Sequence, residues 1–229
     1  MMLSKIKRLK PYDIIDIMEN KGKLIYSQEG EDIIIERILG IKDAGYYIDV
    51  GAFEPKKFSN TYYFYKKGWE GINIEPNPDK FSLFNEQRKK DINLNIAISD
   101  SESELDYYRF KVSAYNTFVK QRYQEVMDKN RSEYLGKVKI KTYKLSKILD
   151  EYLPKDKHID FLSIDTEGLE VDVLKSNDWS KYKPELIVIE IVSDSIHSIF
   201  ETQAHEMLDQ LGYIFSAKTF NTCFYLRRK

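Results

Sequence analysis

The sequence predicts an α/β chain built on a doubly wound, mostly parallel seven-stranded sheet that ends in an antiparallel hairpin. Three observations carry that expectation. Short apolar runs such as IDFLSID and ELIVIEIV are continuous rather than alternating, the pattern of strands covered on both faces. Amphipathic stretches of helical period separate these runs, as βαβ crossovers require. After five such units the chain closes with GYIFSAKTF and NTCFYLRR, which read as a hairpin.

Taken in order, residues 12–20 (YDIIDIMEN) suit a short amphipathic helix closed by Gly22. Ser27 suits the N-cap of a helix over 28–39, with Glu29, Glu31 and Asp32 in the first turns, where the helix dipole favours acids. Strands are expected at 46–50 and 71–75, linked by a helix near 60–67 that stops at Gly68. Asn77-Pro78 reads as N-cap and first residue of a helix carrying Phe81 and Phe84, and INLNIAIS (92–99) as a third strand. The rhythm then breaks. LDYYRF (105–110) and KVKIKTYKL (137–145) alternate like an antiparallel pair, and the polar, aromatic stretch between them (113–135) has no clean core stripe. Leu145, Ile148, Leu149, Tyr152 and Leu153 form a helical face ended by Pro154. Strands at 159–165 and 185–192 flank a helix over about 168–176. Ile196, Ile199, Phe200, Met207, Leu208 and Leu211 repeat at helical spacing up to Gly212. The expectation is one domain over 1–229, with residues 1–40 as a helical cap and 101–145 as an inserted hairpin acting as a lid.

Composition narrows the function. Lysine and arginine number 36 against 37 acids, so no global basic field points to nucleic acid. Cys223 is the one cysteine in the sequence, which removes an intrachain disulfide or a cysteine metal cluster and fits a reducing compartment. The start, MMLSKIKRLK, lacks the apolar core of a signal peptide, and no run reaches the ~18 apolar residues of a membrane span. A cytoplasmic protein is expected.

Four strands end in an acid: Asp49, Glu75, Asp165 and Glu190. One such acid is a helix cap in many proteins. Four at the carboxyl ends of parallel strands converge on one crevice, where ligands of such sheets bind. Clustered carboxylates repel, so a cation or several hydroxyl groups must balance them. The first βα loop, DVGAFEP, has one glycine and an added acid, Glu54, which disfavours the pyrophosphate of a dinucleotide. A ligand with ribose hydroxyls and positive charge but no phosphate fits better, and S-adenosylmethionine is one. Glu75 would then accept both ribose hydroxyls, and Gly51 would let the backbone pass close to the ligand.

Several stretches together carry a family resemblance: YSQEGED (26–32), YYIDVGAFEP (46–55), SNT (59–61), GWEGINIEPNP (68–78), INLNIAISD (92–100), FLSIDTEGLEVDVLKS (161–176) and ELIVIE (185–190). The chain resembles the FkbM-type S-adenosylmethionine-dependent methyltransferases, which have the Rossmann-like class I methyltransferase fold. Leu169 departs from the pattern, standing where many relatives have histidine, and the segment 101–145 matches poorly. The resemblance implies a cofactor loop at Asp49 and Gly51, a ribose held by Glu75, and adenine along Ala97 to Asp100. Gln28 and Ser59 would neighbour the methionine end. It also implies O-methylation of a hydroxyl on a sugar, glycan or related small molecule. A sugar hydroxyl is a poor nucleophile, so a base is expected at Asp165, with Glu167 and Glu190 supporting it or orienting the acceptor. Asp165 and Glu190 also offer hard oxygen ligands of the kind Mg²⁺ takes, although two ligands are too few to define a metal site. Of the three histidines, His158 and His205 are expected to be solvated, and His197 is an outside catalytic option. A nicotinamide-dependent oxidoreductase and a non-catalytic domain that keeps the fold are the alternatives.

Overall fold

A computed structural model describes residues 23–228, so the helix expected at 12–20 lies outside the described residues. The elements are α1 (Glu31–Leu39), β1 (Tyr46–Val50), α2 (Tyr62–Lys66), β2 (Glu70–Ile74), α3 (Pro78–Gln87), β3 (Ile92–Leu94) and β4 (Ala97–Ile98). Then follow β5 (Ser103–Phe110), α4 (Lys120–Asp128), β6 (Tyr134–Tyr143), α5 (Leu145–Tyr152), β7 (Phe161–Ile164) and α6 (Glu170–Ser176). The chain ends with β8 (Leu186–Glu190), α7 (Ile196–Ile199), α8 (Gln203–Gln210), β9 (Tyr213–Lys218) and β10 (Thr222–Arg227).

Seven strands form one sheet in the order β3-β2-β1-β7-β8-β10-β9. The first five are parallel, and β10 runs antiparallel to both its neighbours. The order reverses between β1 and β7. Strand β1 pairs with β2 on one side and β7 on the other, which sets Asp49 between Asn73 and Ser163. Burial on both faces explains the unbroken apolar runs. Ile48, Val50, Ile72, Leu162 and Ile189 pack on one side with residues of α5, α6 and α8. Tyr47, Phe161, Val188 and Phe224 pack on the other with Ile35 of α1 and Phe64 of α2.

Several boundaries differ from the sequence reading for identifiable reasons. Helix α1 starts at Glu31 because Gly30 takes a left-handed conformation (φ 92°). Gly30, not Ser27, holds the N-cap position; the Ser27 hydroxyl donates to the Asp32 carboxylate at 2.9 Å and accepts from the Asp32 amide at 3.4 Å. The run 92–99 splits, with β3 in the main sheet and β4 crossing to pair with β6. The single helix expected over 196–211 is two. Ser195 caps α7 through a reciprocal bond with Ser198, and Thr202 leaves the helical conformation (ψ 146°) to cap α8. Asn77 and Pro78 start α3 as expected, with the Asn77 side chain accepting from the Asp79 amide at 3.1 Å.

The insertion is a small sheet of its own, β4-β6-β5, with β5 and β6 antiparallel. Its buried cluster is small: Ala97, Tyr107 and Ile140, with Phe118 and Val138 against it. No helix among the described residues is long and apolar enough to cross a membrane.

Candidate functional site

At the carboxyl ends of β1, β2, β7 and β8 lies a cavity of about 260 Å³. The insertion closes over it with Tyr107, Ser113, Asn116 and Phe118, and the turn into β10 contributes Asn221 and the strand's first residue, Thr222. Glu29 and Glu31 hold that turn: Glu31 accepts from the Thr219 hydroxyl at 3.1 Å and Glu29 from the Asn221 amide at 3.2 Å. Seven carboxylates line the cavity (Glu29, Glu31, Asp49, Glu75, Asp165, Glu167, Glu190), and among the described residues no lysine, arginine or histidine does.

One half is organised by Asp49 and Glu75. Glu75 follows β2 and is buried; its two carboxylate oxygens accept from the amides of Phe53 and Asn77, each at 2.7 Å. Burial pushes its carboxyl up to about 8 against those two restraining hydrogen bonds. Pro76, Ile96, Ala97 and Ile98 supply an apolar wall beside it. Asp49 is buried at the tip of β1 and accepts from the Thr61 hydroxyl at 2.9 Å. Gly51 is left-handed (φ 83°), and a Cβ there would lie 1.8 Å from the Asp165 carbonyl oxygen. The glycine is therefore required first by the approach of the β1 and β7 loops to each other. Phe53 and Phe58, which sequence reading missed, both take φ 56° and stack at 6.4 Å along the wall. Bulky side chains rarely adopt this conformation, so the loop holds them there against a local cost.

The other half carries Asp165, Glu167 and Glu190. Asp165 follows β7, anchored by its amide to the Val50 carbonyl at 3.0 Å. Its side chain is exposed to the open cavity, and the crowding of the cavity walls (desolvation), then Glu190, then Glu167 push its carboxyl well above the usual range. Burial raises Glu190 as well. Burial and Glu190 push Glu167 up to about 7, with Arg122 of the insertion pulling the other way through a direct ion pair. Thr117 of the insertion also donates to the Glu167 carbonyl at 2.9 Å.

Of the remaining expected residues, Gln28 and Ala97 line the cavity. Ser59 and Asp100 do not. Ser59 is buried behind the wall, where its hydroxyl accepts from the Tyr62 amide at 3.1 Å, and Asp100 faces solvent beyond β4. Neither His158 nor His197 lines the cavity, and both are exposed. His205 is half-buried rather than solvated, against Phe200 and within 3.1 Å of the Tyr225 hydroxyl.

Asp165, Glu170 and Glu190 bring a carboxylate oxygen each within 4.8 Å of one another, hard-oxygen chemistry of the kind Mg²⁺ takes. The Glu170 oxygen Oε1 is already occupied, accepting from the Thr166 amide (2.9 Å), the Thr166 hydroxyl (2.9 Å) and the Gly168 amide (3.1 Å). A Mg²⁺ at Asp165 and Glu190 gains no support from this arrangement. A second group, His158, Asp160 and Glu185, is accounted for by Lys42, which bonds both acids at 2.7 and 2.9 Å.

The strand order and the position of the cavity define a class I methyltransferase fold. The chain belongs to the family described as the methyltransferase FkbM domain, whose model matches residues 49–216. Among solved structures it is similar to a precorrin-6y C5,15-methyltransferase from Geobacter metallireducens GS-15, with 14% identity and a TM-score of 0.46 over 90% of this chain and 92% of that one. It is also similar to a TehB-like SAM-dependent methyltransferase from Corynebacterium glutamicum ATCC 13032 Kitasato, at 7% identity and a TM-score of 0.41, covering 95% and 96%. No curated protein matches the chain.

Family membership implies S-adenosylmethionine as the donor, and the lining fits it. A buried carboxylate suits ribose hydroxyls, the apolar wall suits adenine, and an anionic cavity suits the positive charges of the methionine half. The same lining does not fit the pyrophosphate of a nicotinamide dinucleotide, which needs donors or cations where this cavity presents acids.

Proposed function

We propose that the protein methylates a hydroxyl group of a small polar acceptor, a sugar or glycan unit, using S-adenosylmethionine. The observation that carries this reading is the continuity of the cavity: the half built on Asp49 and Glu75 opens directly onto Asp165, Glu167 and Glu190. When bound, the donor would supply an electrophilic methyl group, whose bond to the sulfonium sulfur breaks to release a neutral thioether as the acceptor oxygen attacks the carbon in line. In this reading Glu75 holds the ribose, with its oxygens fixed by two amides, and Ala97 and Ile98 flank the adenine. Alignment of the two reactants supplies several kcal/mol of the barrier reduction.

Asp165 is the base. As the acceptor oxygen bonds to the methyl carbon, its proton passes to an Asp165 carboxylate oxygen. Desolvation, and then neighbouring Glu190, raise the Asp165 carboxyl, which makes it a stronger base than a solvated aspartate. Glu190 orients the acceptor, and Glu167, tied to Arg122, fixes the loop between cavity and insertion.

Calorimetry with S-adenosylmethionine and labelled-methyl transfer to a panel of sugars test the reading. Glu75→Ala should weaken donor binding on the order of a hundredfold, since it removes two hydrogen bonds to the ribose. Asp165→Ala should leave donor affinity near normal while turnover falls about 10²–10⁴-fold. Absence of donor binding by the wild type sinks the enzyme reading and favours a non-catalytic domain. Unchanged turnover in Asp165→Ala removes Asp165 from the base role.

A further inference from the structure

Arg88 lies just after α3, is fully buried, and does not line the cavity. A buried guanidinium is stable only when its donors are satisfied and a counter-charge is near. Here Nε donates to the Asp91 carboxylate at 2.8 Å, Nη1 to the Pro55 carbonyl at 2.9 Å, and Nη2 to the Tyr47 hydroxyl at 2.7 Å. Nη2 also donates to the Thr61 hydroxyl at 2.9 Å. Asp91 is itself tied to the sheet, accepting from the Gly71 amide, the Asn73 amide group and the Tyr47 hydroxyl at 2.7–3.0 Å.

The bond to Thr61 has a fixed sense. An arginine only donates, so the Thr61 oxygen accepts from Arg88 and its own proton is free for Asp49, 2.9 Å away. That polarised chain ends on Asp49, a carboxylate of the cavity lining. The groups facing Asp49 are otherwise mostly acids: Glu75 after β2, Asp165 after β7 and Asp91 beyond α3, with the Ser163 hydroxyl beside it on β7.

We propose that Arg88 is a positioning residue for the donor: through the Thr61 hydroxyl it holds Asp49 as an anion turned toward the cavity, ready for the positively charged half of S-adenosylmethionine. This rests on the reading of the cavity as the donor site. Burial raises the Asp49 carboxyl, and Thr61 and Arg88 are the main groups that counter it.

Thr61→Val tests the relay with the least disturbance, because it removes the hydroxyl at nearly constant volume. Donor binding is measured by calorimetry between pH 6 and pH 9, with thermal unfolding as a check on folding. The variant should bind S-adenosylmethionine roughly tenfold more weakly near pH 7, with the deficit narrowing as pH rises. Thr61→Ser should restore the wild-type profile. A pH profile identical to wild type overturns the inference, and so does an equal loss at every pH, which marks a purely structural threonine. A wild type that does not bind the donor overturns the donor-site reading first and the inference with it.

Discussion

Glu75 is a carboxylate placed where burial opposes its charge and two backbone amides favour it, and burial prevails. The consequence for stability has a definite sign. The unfolded chain loses this proton near 4.5, whereas the folded protein keeps it up to about 8. Between those values the folded state binds more protons, so stability falls as pH rises through the window. Asp165, Glu167 and Glu190 are raised too and add slopes of the same sign. Thermal unfolding of the ligand-free protein should therefore show a melting temperature that declines from about pH 5 to about pH 8. Glu75→Gln should flatten the decline and unfold later than wild type at pH 8.5. An equally steep decline in the variant would assign the slope to the other acids. The carboxylates themselves are legible in the sequence as strand-end acids. Their charge states are not, because these depend on neighbours as remote as Glu190 is from Asp165.

At the scale of elements, the loops at the sheet's carboxyl end are fitted to one another. Gly51 illustrates this best, since its missing side chain makes room for the Asp165 carbonyl in the loop after the neighbouring strand. Gly212, before β9, is also left-handed (φ 83°) but has nothing within 4 Å of a built Cβ. Alanine at Gly212 should cost about 1 kcal/mol, the price of that backbone conformation for a residue with a side chain. Alanine at Gly51 must also separate β1 from β7 and should cost at least about 3 kcal/mol. Urea unfolding of both variants distinguishes them, and similar losses would contradict the close-approach argument. A lone glycine after an apolar strand was readable as a functional signal. Its partner was not, because Gly51 and Asp165 lie in different βα units.

For the whole molecule, the main sheet and the insertion differ in how they are held. The sheet has large apolar clusters on both faces, whereas the insertion has a handful of buried residues around Tyr107 and Ile140. Units with few buried apolar contacts open first. Since Tyr107, Asn116 and Phe118 line the cavity, a ligand there couples to that opening. Hydrogen exchange should show amides of β5 and β6 exchanging faster than those of β1 and β7. Saturating S-adenosylmethionine should slow the β5 and β6 amides, by up to about a hundredfold at a hundredfold excess over Kd. Equal exchange with and without the donor would show that the insertion does not close the donor site.

The sequence by itself determined the parallel sheet, the terminal hairpin, the inserted strand pair and the four strand-end acids. Each follows from local periodicity or from a residue type at a strand tip, which neighbours along the chain suffice to specify. Tertiary structure decided the rest. Only in three dimensions does the run 92–99 divide between two sheets, the 196–211 helix break at Thr202, or Asp100 fall outside the cavity that Ala97 lines. The same holds for Arg88, which in the sequence is one basic residue in the run RKK and in the fold stands behind Asp49. Burial and through-space charge act between segments far apart in the chain, and no pattern along it encodes which of them will meet.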